Sequence, residues 1–158
     1  MILVESSKKL MSDPNKANES EDESNDSNAH DDSQEQALAC ARAAIDKNAE
    51  SVKILDLTEI SGFTDYFVIC SGTSDRQVQA IADSVQKALK EAGRKALSVE
   101  GYSEGRWVLL DFGDIVVHVF LDALREYYDL ESLWEDAPRV TIPPEFYLHS
   151  GDGKSLLS

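Results

Sequence analysis

Two short stretches of this 158-residue chain hold the residue types best suited to chemistry. Ser71-Gly72-Thr73-Ser74-Asp75-Arg76 joins a strand pattern to a helix pattern. Free backbone N–H groups at such a helix start can cradle a phosphate. The stretch has one glycine, no P-loop lysine and no glycine triplet of a dinucleotide fold, so nucleotide binding is poorly signalled. Asp111 and Asp114 bracket a tight turn, with His118 on the strand that follows. Such oxygen and nitrogen ligands could hold a divalent ion, as nucleotidyl transfer requires. A two-residue loop places His118 opposite Leu109, about two cross-strand steps from Asp111, which is loose spacing for one metal. Asp111-Phe112-Gly113 matches the kinase metal loop by letters, but no lysine strand or catalytic loop accompanies it. Cys40 and Cys70 lie among apolar neighbours and read as small core residues, too few for a disulfide framework or a complete zinc site. No Ser-His-Asp or Cys-His pairing stands out. The remaining constellation suits binding: Trp107, Leu109 and Asp111 share a row, with Val116, His118 and Phe120 opposite. An aromatic anchor bordered by carboxylates is what a docking patch for a basic protein needs. The same row packed beneath a helix is the equal alternative, and packing is the default for His118.

Charge narrows the partner class. Thirty acidic residues against 15 basic ones give a formal net charge of -15 and a pI near 4.4. Gripping a phosphate backbone depends on Lys and Arg, so direct nucleic-acid binding is disfavoured and a basic protein surface is the better match. No apolar run reaches the roughly 20 residues of a membrane span. Met1–Leu10 is too quickly charged for a secretory signal, and the cysteine usage fits a reducing cytosol.

The elements that must position these residues begin near Ser33. Residues 1–36 carry 10 acidic and 3 basic groups and few large apolar ones, so 1–32 reads as a disordered acidic extension. Residues 33–137 form the compact domain, and 138–158, with Pro138 and Pro143-Pro144, read as a loose tail. Ser33 with Gln36 makes a capping box for a first helix whose apolar stripe is Leu38, Ala41 and Ile45. Val52–Leu57 reads as a strand, and Tyr66–Cys70 as a central strand buried on both faces. Ser74 with Gln77 opens a second helix with Val78, Ile81, Val85 and Leu89 on one face, closed by Gly93. Ala96–Glu100 is a weaker strand. Arg106–Phe112 and Ile115–Phe120 flank Gly113-Asp114 as a type II′ hairpin. A last helix spans about Asp122–Trp134 and buries Leu124, Tyr127 or Tyr128, Leu130 and Leu133. The order α-β-β-α-β-β-β-α predicts an α+β (α/β) domain: one mixed five-stranded sheet with about three helices.

The string Thr64 to Ser74 with Arg76-Gln77-Val78 and Ala80-Ile81-Ala82, then Glu100-Gly101 and Trp107 to Phe120, then Arg125 and Tyr127 to Trp134, resembles the ribosomal silencing factor (Iojap) family. These blocks keep order and spacing over about 100 residues. The resemblance implies a nucleotidyltransferase-like topology without that chemistry, no cofactor and no enzyme activity. It further implies binding to protein fourteen of the large ribosomal subunit, at the surface that meets the small subunit. Translation then falls in starvation or stationary phase. Carried over, the contact residues are Trp107, Leu110, Asp111 and Phe112, with Asp114 and Glu100. Leu110 and Phe112 alternate away from Trp107, so either the contact uses the hairpin tip and an edge or one row is core. The family is often dimeric off the ribosome. A metal-dependent nucleotidyltransferase-like enzyme is the alternative reading.

Overall fold

Two apolar strands paired in parallel form the centre of the sheet in the computed structural model, which describes residues 23–148. The elements are α1 (Glu23–Ile45), β1 (Glu50–Asp56), β2 (Tyr66–Gly72), α2 (Asp75–Glu91), β3 (Ser98–Glu100), β4 (Trp107–Asp111) and β5 (Ile115–Leu121). Three short helices follow: α3 (Asp122–Tyr128), α4 (Leu130–Leu133) and α5 (Glu145–Leu148). The strand order β1-β2-β5-β4-β3 gives the expected mixed five-stranded sheet. Every residue of β2 is buried, as a continuous apolar run predicts.

Helices α1 and α2 cover one face. Val78, Ile81, Val85 and Leu89 of α2 are buried, and Ser74 caps its start by accepting the Gln77 N–H at 3.1 Å. The buried stripe of α1 is Ala37, Cys40, Ala41, Ala44 and Ile45, small side chains that bring the helix close. On the other face a separate cluster joins Leu55, Phe67, Ile69, Trp107, Leu109, Val116 and Phe120 to Leu130 and Ala137. The hairpin has the register read from the sequence, with Leu109 opposite His118 and Asp111 opposite Val116. Gly113 at φ +95° supplies its turn.

Four expectations change. Helix α1 already runs from Glu23, so Ser33 lies inside it rather than at its cap. Its hydroxyl donates to Asp114 Oδ2, and Gln36 Oε1 accepts from Arg94, so tertiary partners on the hairpin tip replace the capping box. Of the acidic extension, residues 1–22 lie outside the described residues, and 23–32 are helical. The final helix divides at Asp129, whose left-handed backbone (φ 48°, ψ 48°) ends α3 and starts α4. After Ala137 the chain pairs along the outer edge of β1: Asp56 N–H donates to Pro138 O and Val140 N–H to Ile54 O. Proline stops a helix yet its carbonyl still accepts at a sheet edge, and Val140, Ile142 and Phe146 pack on the core. Residues 149–158 of the expected tail lie outside the described residues.

His118 sits in the second cluster between Phe67 and Trp107, and Trp107 Nε1 donates to its Nδ1 at 3.2 Å. Burial pushes its pKa down to about 3. An unfolded histidine takes its proton near pH 6.5 while the folded one refuses it, so stability falls as pH drops below that value. The expected loss from this residue is ~2 kcal/mol by pH 5. Urea unfolding of wild type and His118→Phe across pH 5–7.5 checks it, and equal slopes for the two proteins would contradict it. Gly101 (φ +79°) approaches the backbone of Trp107 so closely that a Cβ there would lie 2.1 Å from Trp107 O. Gly101→Ala is expected to cost about 2 kcal/mol or more, read as a fall in the urea midpoint.

Candidate protein-docking surface

The glycine turn after β2 is closed on itself. Thr73 donates both its N–H (2.7 Å) and its hydroxyl (3.0 Å) to Gln77 Oε1, and Ser74 Oγ takes the Gln77 N–H. Gln77 Nε2 in turn donates to Lys47 O and Asn48 O at the end of α1. These bonds tie α2 to α1 and occupy the Thr73 and Gln77 N–H groups, two of the donors a phosphate would use, and a Cβ at Gly72 would press on Gln77 and Val78 at 3.2 Å. Asp111, Asp114 and His118 do not converge. Asp111 Oδ1 accepts from Gly113 N–H, Asp114 pairs with Arg94 at 2.6 Å, and His118 pairs with Trp107. Among the described residues no group of three or more His, Cys, Asp or Glu is arranged to hold a metal ion. Partial burial alone would raise the Asp114 carboxyl, but the bonds from Arg94 and Ser33 outweigh it and hold it below its usual value. Burial pushes both cysteine thiols far up, the opposite of what a nucleophile needs.

The residues carried over as partner contacts separate. Leu110 is fully buried and Phe112 nearly so, both in the layer under α1 and α2, and neither presents surface to a partner. Their row is core because alternation sends it to the two-helix face. Trp107 and Asp111 point to the opposite face and are 8% and 1% exposed. Glu100, opposite Leu109 on the edge strand, and Asp114 at the hairpin tip are half-buried. The six residues therefore do not form one exposed patch.

Large apolar side chains lie exposed on the outer side of α3 and α4, as Leu97 and Val99 do at the sheet edge. Tyr127 is 77% exposed, Leu133 60% and Tyr128 42%. Sequence reading placed Leu133 and one of the tyrosines in the core. The break at Asp129 turns α4 so that Leu130 is buried and Leu133 is not. Tyr128 lies against Trp107 with ring centroids 4.8 Å apart and Tyr127 edge-on to Tyr128 at 5.1 Å, so an aromatic ladder runs from the sheet to solvent. Arg125 anchors this element from beneath, donating to Ser71 Oγ (2.8 Å) and to Glu131 Oε2 (2.7 Å). Residues 122–136 hold six carboxylates and one guanidinium, that of Arg125, so the segment that carries the exposed apolar groups is strongly negative. That carboxylate density in the final helix was the available signal that its apolar side chains were too few to be all core. An exposed aromatic cluster of this kind has the character of a protein-docking surface.

The family described as "Ribosomal silencing factor during starvation" matches residues 30–154. Ribosomal silencing factors from Bacillus subtilis and Halalkalibacterium halodurans are 50% and 48% identical over 102 and 109 residues. The first alignment spans 65% of this chain and 86% of the relative, the second 69% and 93%. The mouse protein named mitochondrial assembly of ribosomal large subunit protein 1 is 32% identical over 124 residues, 71% of this chain and 54% of its own. A crystal structure from Chromobacterium violaceum superimposes with a TM-score of 0.63 at 38% identity, covering 76% of this chain and 96% of that one. A second, from Bacillus halodurans, gives 0.62 at 46% identity, covering 69% and 99%. With the family match over residues 30–154 and these relatives and structures beside it, the chain belongs to the ribosomal silencing factor family.

Proposed function

We propose that this protein docks on the large ribosomal subunit through ribosomal protein fourteen, in the cytoplasm, and covers the surface that the small subunit must meet. Translation then falls when nutrients are scarce. The action is steric and performs no reaction. The observation that carries this reading is the exposed ladder of Tyr127 and Tyr128 over Trp107, with Leu133 beside it and carboxylates around it. Aromatic anchors supply most of the energy of a protein interface, and acidic rims speed encounter with basic partners, which ribosomal proteins generally are. Trp107 contributes from below by fixing Tyr128, and Glu100 and Asp114 extend the negative border. Off the ribosome, the open edge of β3 leaves Val99 40% exposed and gives a second copy a place to pair.

Pelleting with isolated large subunits tests the patch. Tyr127→Ala with Leu133→Ala is expected to weaken binding by about tenfold or more at unchanged melting temperature, because both side chains are solvent-exposed. Undiminished pelleting would move the contact elsewhere. Glu126→Lys with Glu135→Lys is expected to slow association and flatten its salt dependence in stopped-flow mixing. Failure of the wild type to pellet or to block subunit joining, or turnover of a nucleotide with magnesium, would overturn the proposal.

A further inference from the structure

A cleft of about 210 Å³ opens at the carboxyl ends of the parallel strands β2 and β5. There the chain leaves β2 for α2 on one face of the sheet and β5 for α3 on the other, the kind of point where open sheets hold ligands. Its lining is charged but mixed, with four carboxylates and two cations, those of Lys53 and Arg125. Arg125 is the most buried of these charges, 9% exposed. Its Nε donates to Glu131 and its Nη1 to Ser71 Oγ and Glu50 O, while Nη2 has no acceptor among the described residues. An unmatched donor on a nine-tenths buried cation is costly. Glu131 already faces both cations, with Lys53 Nζ at 3.5 Å, and Asp129 accepts from Ser132 at 2.6 Å. The side chains of Asp122 and Glu126 are different: exposed and one helical turn apart, they have no ion-pair or hydrogen-bond partner among the described residues. Their like charges repel. At the rim, Ser51 holds a left-handed backbone (φ 51°) within the bulge of β1, strain of the sort that gathers at binding sites.

We infer that this cleft binds a free α-amino acid as its zwitterion. The carboxylate accepts from Arg125 Nη2 and the Ser51 hydroxyl, and the ammonium group donates to Asp122 and Glu126. A simple anion would meet the carboxylates, and a simple cation would meet Lys53 and Arg125. A zwitterion offers each group its opposite. The space, well below that of a drug-sized pocket, limits the ligand to a small molecule. The site borders the exposed aromatic patch, since α3 and α4 supply Arg125, Glu126 and Glu131 to one and Tyr127 and Leu133 to the other. Binding here needs no ribosome and is independent of the docking reading.

Titration of the full chain with L-alanine at pH 7 and constant ionic strength, followed by amide NMR, tests the site directly. Propionate, which lacks the amine, and ethylamine, which lacks the carboxylate, are the controls. Saturable shifts at Ser51, Ser71 and Arg125 are expected with L-alanine and not with either control. Equal shifts with propionate would make this an anion site only, and equal shifts with ethylamine a cation site only. Either result, or no shift with L-alanine, would overturn the inference. Asp122→Asn with Glu126→Gln, both exposed, is expected to weaken L-alanine binding about fivefold at unchanged melting temperature. Wild-type affinity in that double variant would overturn the assignment as well. Arg125→Lys, which keeps a charge but lacks Nη2, is expected to abolish the shifts. Because Arg125 also ties α3 to Ser71, a folding failure in that variant leaves the double variant and the three-compound comparison to decide.

Discussion

The parallel pairing of β2 with β5 dictates the rest of the molecule. A strand pair apolar on both faces must be covered on both faces, since an exposed side would place several large hydrophobic groups in water. Helices α1 and α2 are long enough to cover one face completely. The other face receives only two short helices and the chain around Trp134 and Ala137. It is closed by aromatic side chains instead, with Phe67, His118, Trp107 and Phe120 laid against one another. Bulky rings thus replace the missing helix, and the outermost of them, Tyr127 and Tyr128, reach solvent.

That arrangement makes the surface depend on the core. Trp107 is at once a core residue, a donor to a neutral buried histidine, and the support of Tyr128. Gly101 allows the loop before β4 to press against the Trp107 backbone, and Arg125 ties α3 to Ser71 on the central strand. The exposed groups are therefore held by packed elements rather than by a free loop. Such preorganisation lowers the ordering cost of association and leaves more of the contact energy for binding.

Much of this was legible in the sequence because the signals were local and strong. The continuous run Tyr66–Cys70, the Ser74 cap and the Gly113-Asp114 turn each fix one element, and together they fix the sheet's centre and the hairpin register. The site was less legible because its placement depends on distant parts. Alternation alone assigns Leu110 and Trp107 to opposite faces, but only the three-dimensional cover shows that both rows are enclosed. Asp129 gives no warning in its letter that it will adopt a left-handed backbone, and that single residue turns Leu133 outward. Ser33 looks like a cap because its alternative partner, Asp114, lies 81 residues away. The edge pairing of Pro138–Val140 is hidden for the same reason: proline marks the end of a helix, not what the chain does next.

The two places where polar groups gather show how the same kinds of residue serve opposite ends. At the start of α2, the Thr73 and Gln77 N–H groups have acceptors within the chain, and Gln77 uses its whole amide to join two helices. Beside the hairpin, a buried carboxylate keeps one oxygen unmatched while its neighbour Asp114 is fully engaged. The two groupings thus differ: one ties two helices together, and the other leaves a buried acceptor unmatched. Within a strongly negative protein, the exposed rings of α3 and the Leu133 side chain of α4 form a preorganised surface whose charge complements a basic one.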